Sequence, residues 1–308
     1  MDISGTGECY GSFGELLQGA LPNGHKFLVN CRIRNRSVVR VNLAEPQYSP
    51  EKEAAMVNSH QRWPKTYKGL RNLLADLGRR DDFLFEIDSD IPVGKGLSSS
   101  TADMVAGMRA LAAAISIRLK NDYLSRMISE IEPNDGLHFD NTSAYFHTEG
   151  RLIANFAFVP PFRILSLDSG GIFDTVMFNA RAVSISRQQQ ESYQGLLEDL
   201  MAALEAGDIL AIAAIATESG RRWQSINPKP EFERVETLAR SLGALGVLNT
   251  HSGTCLGMLF ADDQPLDEAA CAAEAASQLP HHALAWFRTT SCASSAAAQP
   301  SNMELTSG

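Results

Sequence analysis

Short runs of β-branched residues in the first 45 positions predict strands. One run covers residues 26–30 and a second covers residues 37–43, and Leu21-Pro22-Asn23-Gly24 is a turn signal before the first run. Residues 46–64 are polar and contain three prolines, so we expect a loop there. A helical leucine stripe over residues 67–77 and an alternating strand pattern over residues 83–87 follow.

The rest of the chain also contains both helical and strand-like patterns of apolar residues. After Gly96, apolar residues at helical spacing predict a long helix whose stripe is Met104, Met108, Leu111, Ile115 and Leu119. Strand patterns cover residues 151–158, 163–167, 247–260 (around a glycine turn) and 284–287, and helical patterns cover residues 196–204, 232–242, 269–279 and a segment starting at Ile209. We expect two domains, 1–160 and 161–290, and a disordered Ser/Ala/Pro-rich tail over residues 291–308.

Composition and charge indicate which kinds of partner the protein is expected to bind. The 308 residues include 27 basic and 36 acidic side chains, so the net charge of −9 argues against a nucleic-acid partner. The first residues lack the basic and apolar regions of a secretory signal, and no apolar run approaches the roughly 20 residues that span a bilayer. The five cysteines are an odd number without a CxxC spacing, which is typical of reduced cysteines in a cytoplasmic protein. We therefore expect a cytoplasmic protein with no membrane partner.

The most informative segment lies between the strand at 83–87 and the long helix. Its sequence, Pro92 to Asp103, provides glycines for a tight turn and then several hydroxyl side chains at a helix N-terminus. Free N–H groups and the helix dipole at such a position favour an anion such as a phosphate. The alternative is that the serines only cap the helix. The residues expected to bind phosphate are Gly94, Lys95, Gly96, Leu97, Ser98, Ser99, Ser100 and Thr101.

Two further glycine-containing segments complete a set of three. Residues 10–19 contain Glu15 within a glycine-rich stretch, and residues 249–257 join two predicted strands through His251-Ser252-Gly253-Thr254. The three segments resemble the motifs of the GHMP kinases, which include galactokinase, homoserine kinase and mevalonate kinase. Residues 92–102 match the family pattern PxxxGLxSSxA, with Ser98 at the place where glycine is usual.

Other segments are similar to one branch of that family, the L-threonine kinases of cobalamin biosynthesis. They are Ser12–Gly19, Glu132-Pro133-Asn134-Asp135, Thr217-Glu218-Ser219, Lys229-Pro230 and His251–Thr254. The resemblance implies a two-domain α+β fold, with an N-terminal domain like ribosomal protein S5 domain 2 and a ferredoxin-like C-terminal domain. It also implies ATP and Mg²⁺ as cofactors.

The resemblance assigns roles to individual residues. Ser99 and Ser100 match the hydroxyls that contact the nucleotide phosphates and Mg²⁺, and Glu132 matches the acidic Mg²⁺ ligand, although a solvated helix end is the alternative for Glu132. Lys95 either reaches a phosphate or points to solvent. Ser100 is expected to take part in catalysis, and the expected substrate contacts are Glu15, Asn141, His251, Ser252, Gly253 and Thr254.

The general base has two candidates, Asp135 and Asp140. A carboxylate orients the acceptor hydroxyl and accepts its proton late in phosphoryl transfer. Asp135 belongs to the segment similar to the threonine kinases, and Asp140-Asn141 resembles the substrate-contacting segment of homoserine kinase, an enzyme without an obvious base. We favour Asp135 slightly over Asp140, and transfer by positioning alone is the third possibility.

The resulting hypothesis is an ATP-dependent kinase, a monomer or homodimer, that phosphorylates the side-chain hydroxyl of a small amino acid. L-threonine is the first candidate, and homoserine, serine or a secondary-metabolite precursor is the alternative acceptor. A regulatory protein that keeps the kinase fold but does not catalyse is the alternative of a different class.

Overall fold

A computed structural model of the chain describes residues 3–44, 60–171, 185–291 and 304–305. The strands are β1 (Ile3–Ala20), β2 (Lys26–Ala44), β3 (Asp82–Ser89), β4 (Arg118–Leu119), β5 (Thr142–Phe146), β6 (Arg151–Phe156), β7 (Phe162–Asp168), β8 (Gly246–Asn249), β9 (Cys255–Ala261), β10 (Ala283–Arg288) and β11 (Glu304–Leu305). The helices are α1 (Pro64–Asp76), α2 (Ser99–Ala114), α3 (Asn121–Ser129), α4 (Arg187–Ala206), α5 (Ile209–Trp223), α6 (Phe232–Ser241) and α7 (Glu268–Gln278).

One nine-stranded sheet runs through both halves of the chain. Its order is β10-β7-β9-β8-β1-β2-β5-β6, with β3 paired to β2, and the listed neighbours pair antiparallel. The N-terminal and C-terminal halves join where Glu15 of β1 pairs with Asn249 of β8. This junction brings the first and third glycine-containing segments together.

Helix α2 packs unusually close to the sheet because β1 presents glycines to it. A Cβ atom on Gly5 would lie 2.2 Å from the carbonyl oxygen of Ala110, and one on Gly7 would lie 2.3 Å from that of Ala106. Only glycine fits at this distance. The close packing fixes the N-terminus of α2 against the middle of β1, where the first glycine-containing segment lies.

The main core lies between β1, β2 and the helices α1, α2 and α3, and it includes Phe13, Leu16, Val39, Leu70 and Met104. A second core between α6, α7 and strands β7 to β9 contains Leu165, Phe232, Val247, Met258 and Phe260. Burial of such side chains is the dominant favourable term in folding, about 1.5–3 kcal/mol for each.

The predicted strands and helices are confirmed with shifted ends. The stripe prediction was wrong at the end of α2, because the helix stops at Ala114 and Ser116 adopts a left-handed φ of 57°. Leu119 consequently belongs to β4, and Ile115 lies just past the helix. The runs 26–30 and 37–43 form one continuous strand, β2. No run was specified for β1, and helix α3 and strands β4, β5 and β11 were not predicted.

Two sequence predictions fall mainly outside the described residues. Of the predicted loop 46–64, residues 46–59 are not described. Of the predicted tail, only Ser291 and β11 are described, and β11 pairs in parallel with β4. The domain limits at 160 and 290 stay predictions. No helix in the described part of the chain is long and apolar enough to cross a membrane.

Candidate active site

The turn between β3 and α2 adopts the backbone that the glycine pattern predicts. Gly94 and Gly96 have φ values of 72° and 79°, and Ser98, the residue before α2, is also left-handed with φ 62°. Such a conformation costs a non-glycine residue roughly 1–2 kcal/mol, so Ser98 holds a backbone conformation that glycine adopts without this cost. The first turn of α2 presents N–H groups that have no acceptor within the helix. This turn, residues 94–101, is called the nucleotide turn below.

The hydroxyls of the nucleotide turn do not act as a simple helix cap. The Ser98 side chain forms no capping hydrogen bond to α2, although serine at this position commonly does. Ser100 Oγ instead donates to Glu132 Oε1 over 2.7 Å, and the Ser98 hydroxyl acts to lower the pKa of the nearby Asp135 carboxyl. The geometry therefore favours the phosphate-site interpretation of the serines over the capping alternative.

The three glycine-containing segments meet at the nucleotide turn through their backbones. The N–H of Gly14 donates to the carbonyl of Gly96 over 3.1 Å, and the N–H of Ser12 donates to that of Leu97 over 3.3 Å. From the other side, a Cβ atom on Gly253 would lie 2.1 Å from the Lys95 carbonyl oxygen and 2.6 Å from the Gly96 Cα atom. The two outer segments thus clamp the turn between them.

Glu132 follows α3 and faces the first turn of α2. Besides Ser100, its carboxylate contacts the ammonium group of Lys65 from α1, a residue that the sequence analysis missed. A carboxylate and a hydroxyl 2.7 Å apart are oxygen donors of the kind that Mg²⁺ prefers, together with phosphate oxygens and water. The donor set at Ser100 and Glu132 therefore fits a Mg²⁺ ion, and the solvated-helix-end alternative for Glu132 does not describe this position.

Asp135 is the second carboxylate that turns toward the nucleotide turn. Burial and the nearby negative charge of Glu15 raise its pKa to about 7, although hydrogen bonds from the hydroxyls of Ser98 and Thr101 act in the opposite direction. Its carbonyl oxygen accepts a hydrogen bond from Asn30 Nδ2 over 3.2 Å. A carboxyl with a pKa near 7 is suited to exchange a proton at neutral pH.

Asp140 and Asn141 lie on a separate turn between Asp135 and β5. Within the described residues, the Asp140 carboxylate forms no hydrogen bond or ion pair with the nucleotide turn, and it is half-buried. Asn141 has a left-handed φ of 60°, a conformation that asparagine tolerates better than most residues. The backbone of this turn is bound by Arg32, which the sequence analysis also missed.

Glu15 and His251, both predicted substrate contacts, are buried against each other. Glu15 Oε2 accepts from His251 Nδ1 over 2.7 Å and from the His251 N–H over 3.2 Å. His251 Nε2 lies 3.2 Å from the hydroxyl of Ser219 on α5, and that hydroxyl accepts from the N–H of Gln18. Each ring nitrogen of His251 therefore has one hydrogen-bonding partner, Glu15 at Nδ1 and Ser219 at Nε2. Both side chains thus connect the first and third segments, and their contact with substrate stays a prediction.

Lys229 donates hydrogen bonds to the third glycine-containing segment, residues 249–257. Its ammonium group donates to the Thr250 carbonyl over 2.8 Å, to the Thr250 hydroxyl over 3.0 Å and to the Cys255 carbonyl over 2.7 Å. Desolvation lowers the pKa of Lys229 to about 7, despite the opposing effect of Cys255 and nearby carboxylates. The family resemblance included the Lys229-Pro230 segment, but nothing in the local sequence predicted that Lys229 donates hydrogen bonds to the third segment.

Lys95 does not extend into solvent, because its side chain forms an ion pair and a hydrogen bond. Its ammonium group lies 2.6 Å from Asp168 Oδ2 at the end of β7 and donates to the Gly171 carbonyl over 2.7 Å. Thr254 donates to the other oxygen of Asp168 over 2.6 Å. Burial acts to raise the pKa of Asp168, but hydrogen bonds from Lys95, Thr254 and the Gly170 N–H lower it below its usual range. These contacts connect the nucleotide turn to both the third segment and β7. Ser252 of the third segment is half-buried.

Comparison with known proteins agrees with this geometry. The model of the GHMP kinase N-terminal domain matches residues 65–148, and the model of the GHMP kinase C-terminal domain matches residues 200–278. An L-threonine kinase of Salmonella typhimurium is 26% identical over 270 residues, which cover 84% of this chain and 84% of that protein.

Solved structures share the fold at lower identity. A homoserine kinase from Cytophaga hutchinsonii superposes with a TM-score of 0.67 at 14% identity, covering 94% of this chain and 96% of that one. A galactokinase from Lactococcus lactis, complexed with galactose, gives a TM-score of 0.69 at 13% identity and covers 94% of each chain. With three glycine-containing segments converging on one helix N-terminus and both domain models matching, the chain belongs to the GHMP kinases and is an ATP-dependent phosphotransferase.

Proposed function

We propose that this kinase uses ATP and Mg²⁺ to phosphorylate the side-chain hydroxyl of a small amino acid, with L-threonine as the first candidate. The observation that carries the proposal is that two carboxylates of one short segment face the nucleotide turn: Glu132 through Ser100, and Asp135 through Ser98 and Thr101. Ser100 and Glu132 would thus supply oxygen ligands for Mg²⁺, and Asp135 would accept a proton from the acceptor hydroxyl. The 26% identity to L-threonine kinases supports the choice of acceptor.

The nucleotide turn would bind the phosphates of ATP. Backbone N–H groups at the start of α2 point along the helix axis, where the dipole adds typically 0.3–1 kcal/mol of attraction for an anion. The hydroxyls of Ser99 and Ser100 add hydrogen bonds at the same edge. Bound Mg²⁺ would neutralise phosphate charge in the transition state, and Ser100 with Glu132 would hold it. Lys65, now paired with Glu132, is placed to exchange that partner for phosphate oxygens.

Asp135 would act on the acceptor hydroxyl. In phosphoryl transfer the protein contributes mainly positioning and electrostatic stabilisation, so the base needs only to orient the hydroxyl and accept its proton late. A carboxyl whose pKa is about 7 accepts a proton at neutral pH more readily than an ordinary aspartate does. Asp140 and Asn141 would hold the polar groups of the amino acid, on the turn that follows Asp135 in sequence.

A screen of hydroxy amino acids tests the proposal. Purified protein with ATP and Mg²⁺ should release ADP only when an acceptor is present, and mass spectrometry should identify the O-phospho product. L-threonine, D-threonine, L-allo-threonine, L-serine and L-homoserine form a panel that separates acceptors by chain length and by configuration at each carbon. Ser100→Ala serves as the inactive control. ATP binding without phosphorylation of any acceptor would support the regulatory alternative instead.

A further inference from the structure

Arg32 is a buried arginine whose guanidinium group binds the backbone of a neighbouring segment. It lies on β2 with 1% of its surface exposed, whereas Arg34 and Arg36 on the same face of the strand are exposed. Its Nη2 donates to the Leu137 carbonyl over 2.9 Å and also to the Phe139 carbonyl, and its Nε donates to the Asn141 carbonyl over 3.2 Å. One side chain thus binds three alternate carbonyls of residues 137–141, called the acceptor segment below.

A second arginine completes this arrangement. Arg109 on α2 donates from Nη2 to the His138 carbonyl over 3.1 Å and from Nη1 to the Glu8 carbonyl over 2.9 Å. Four of the carbonyls between residues 137 and 141 therefore face arginines. Burial, with the positive charges of Arg109 and Arg32, lowers the pKa of His138 to about 3, so its imidazole adds no competing charge.

The consequence for the backbone is strong restraint. Hydrogen bonds from a charged donor contribute about 1.5–3 kcal/mol each, and buried carbonyls that lose their donors carry a comparable penalty. With its carbonyls directed at Arg32, the acceptor segment bends around the guanidinium group and Asn141 takes its left-handed φ of 60°. The orientation of Asp140 and Asn141 is thereby set by a residue more than 100 positions earlier in the chain.

We propose that Arg32 is a positioning residue that sets the affinity for the acceptor by holding the acceptor segment in its bent form. The proposal rests on the proposed function, in which Asp140 and Asn141 bind the amino acid. Lysine cannot replace Arg32 in this role, because a single ammonium group lacks the rigid planar fork that reaches separated carbonyls at once. Arg32 itself does not touch the reacting atoms.

Steady-state kinetics of Arg32→Lys test this role. The Michaelis constant for the acceptor should rise about tenfold or more, while kcat and the Michaelis constant for ATP stay within about threefold of wild type. Arg163→Lys is the matched control, since Arg163 is also buried and binds the Ala261 carbonyl through Nε and Nη2, but it lies on β7 away from the acceptor segment. Equal losses in both variants, or a rise confined to the ATP constant, would overturn the proposal.

Hydrogen exchange provides a readout that does not depend on turnover. The Phe139 N–H, bonded to the Gly136 carbonyl over 3.2 Å, should exchange faster in Arg32→Lys and remain unchanged in Arg163→Lys. Unchanged exchange would refute the positioning role. If Arg32→Lys does not fold, Arg109→Lys should give a smaller effect in the same direction, and its absence would refute the role as well. A wild-type protein without acceptor activity would refute the proposed function, and exchange would then decide alone whether Arg32 positions the segment.

Discussion

The nucleotide turn and the acceptor segment are built in opposite ways. The backbone conformation of the turn follows from its own sequence, with glycines at positive φ followed by hydroxyl residues at a helix start, and the two other glycine-containing segments then hold it in place. The acceptor segment owes its shape to distant side chains, chiefly Arg32 and Arg109. A locally encoded site accommodates the ligand shared by a whole family, whereas a site held by distant contacts can change with few substitutions. Acceptor specificity is therefore expected to vary more than ATP binding.

The largest expected effect belongs to the nucleotide turn. Ser100→Ala and Glu132→Gln should each lower kcat/KM by a factor on the order of 10² or more, because each removes charge stabilisation at the transferred phosphate. Both variants should keep the wild-type melting temperature. Glu130→Gln, an exposed carboxylate two residues before Glu132, is the control and should retain full activity. Full activity in either site variant would remove that residue from the site.

The second test separates the base from the acceptor contacts. Asp135→Asn should lower kcat about 30-fold with little change in acceptor KM, because the loss concerns proton transfer. Asp140→Asn and Asn141→Ala should instead raise the acceptor KM. Initial rates over a grid of ATP and acceptor concentrations measure both constants. The reverse pattern would exchange the roles, and small changes in kcat from both aspartates would mean that positioning alone suffices.

The third test disrupts the close packing between the nucleotide turn and the third segment. In Gly253→Ala the new methyl group would meet the Lys95 carbonyl at 2.1 Å, so one of the two backbones must move. The ATP KM should rise about tenfold, since the turn loses its clamped geometry. Gly195→Ala, in a helix with open space around the site of the new Cβ atom, is the control. An unchanged ATP affinity would show that the clamp is not needed for binding.

The smallest effect concerns stability rather than turnover. Burial raises the pKa of Asp103 on α2 to about 6, more than the nearby Ser37 hydroxyl lowers it. The unfolded chain loses this proton near pH 3.8 and the folded chain near pH 6, so the wild type loses stability as the pH rises through this window. Asp103→Asn should therefore be more stable than wild type by about 1–2 kcal/mol at pH 8 and by less at pH 5.

Denaturant unfolding at the two pH values measures this difference. Asp122→Asn, at an exposed position in the first turn of α3, controls for the general effect of removing a charge. A stability gain of the same size at pH 5 and pH 8 would contradict the titration of Asp103 as its cause.

The sequence was sufficient for the features that depend on neighbours along the chain. The helix after Gly96 followed from periodicity and the glycine turn from its residues, whereas the placement of Glu132 opposite the serines followed from the family resemblance. Arg32 could not be found in this way, because it lies between the two predicted strand runs and its partners lie more than 100 positions later in the chain. Only the fold brings residues 137–141 next to it. Lys65 and the hydrogen-bonding role of Lys229 were not predicted for the same reason, since their partners lie in other segments of the chain.

The pairing of Glu15 with His251 joins residues separated by 236 positions, and Gly253 closes the nucleotide turn from the same distant segment. A ribosome therefore has to release most of the polypeptide before these contacts form. Contacts of such high sequence separation slow folding, because a long loop must close before they contribute. During synthesis, the N-terminal half is complete before the segment that contains Gly253 can pack against the nucleotide turn. Nucleotide binding can therefore be used as a measure of the last stage of folding.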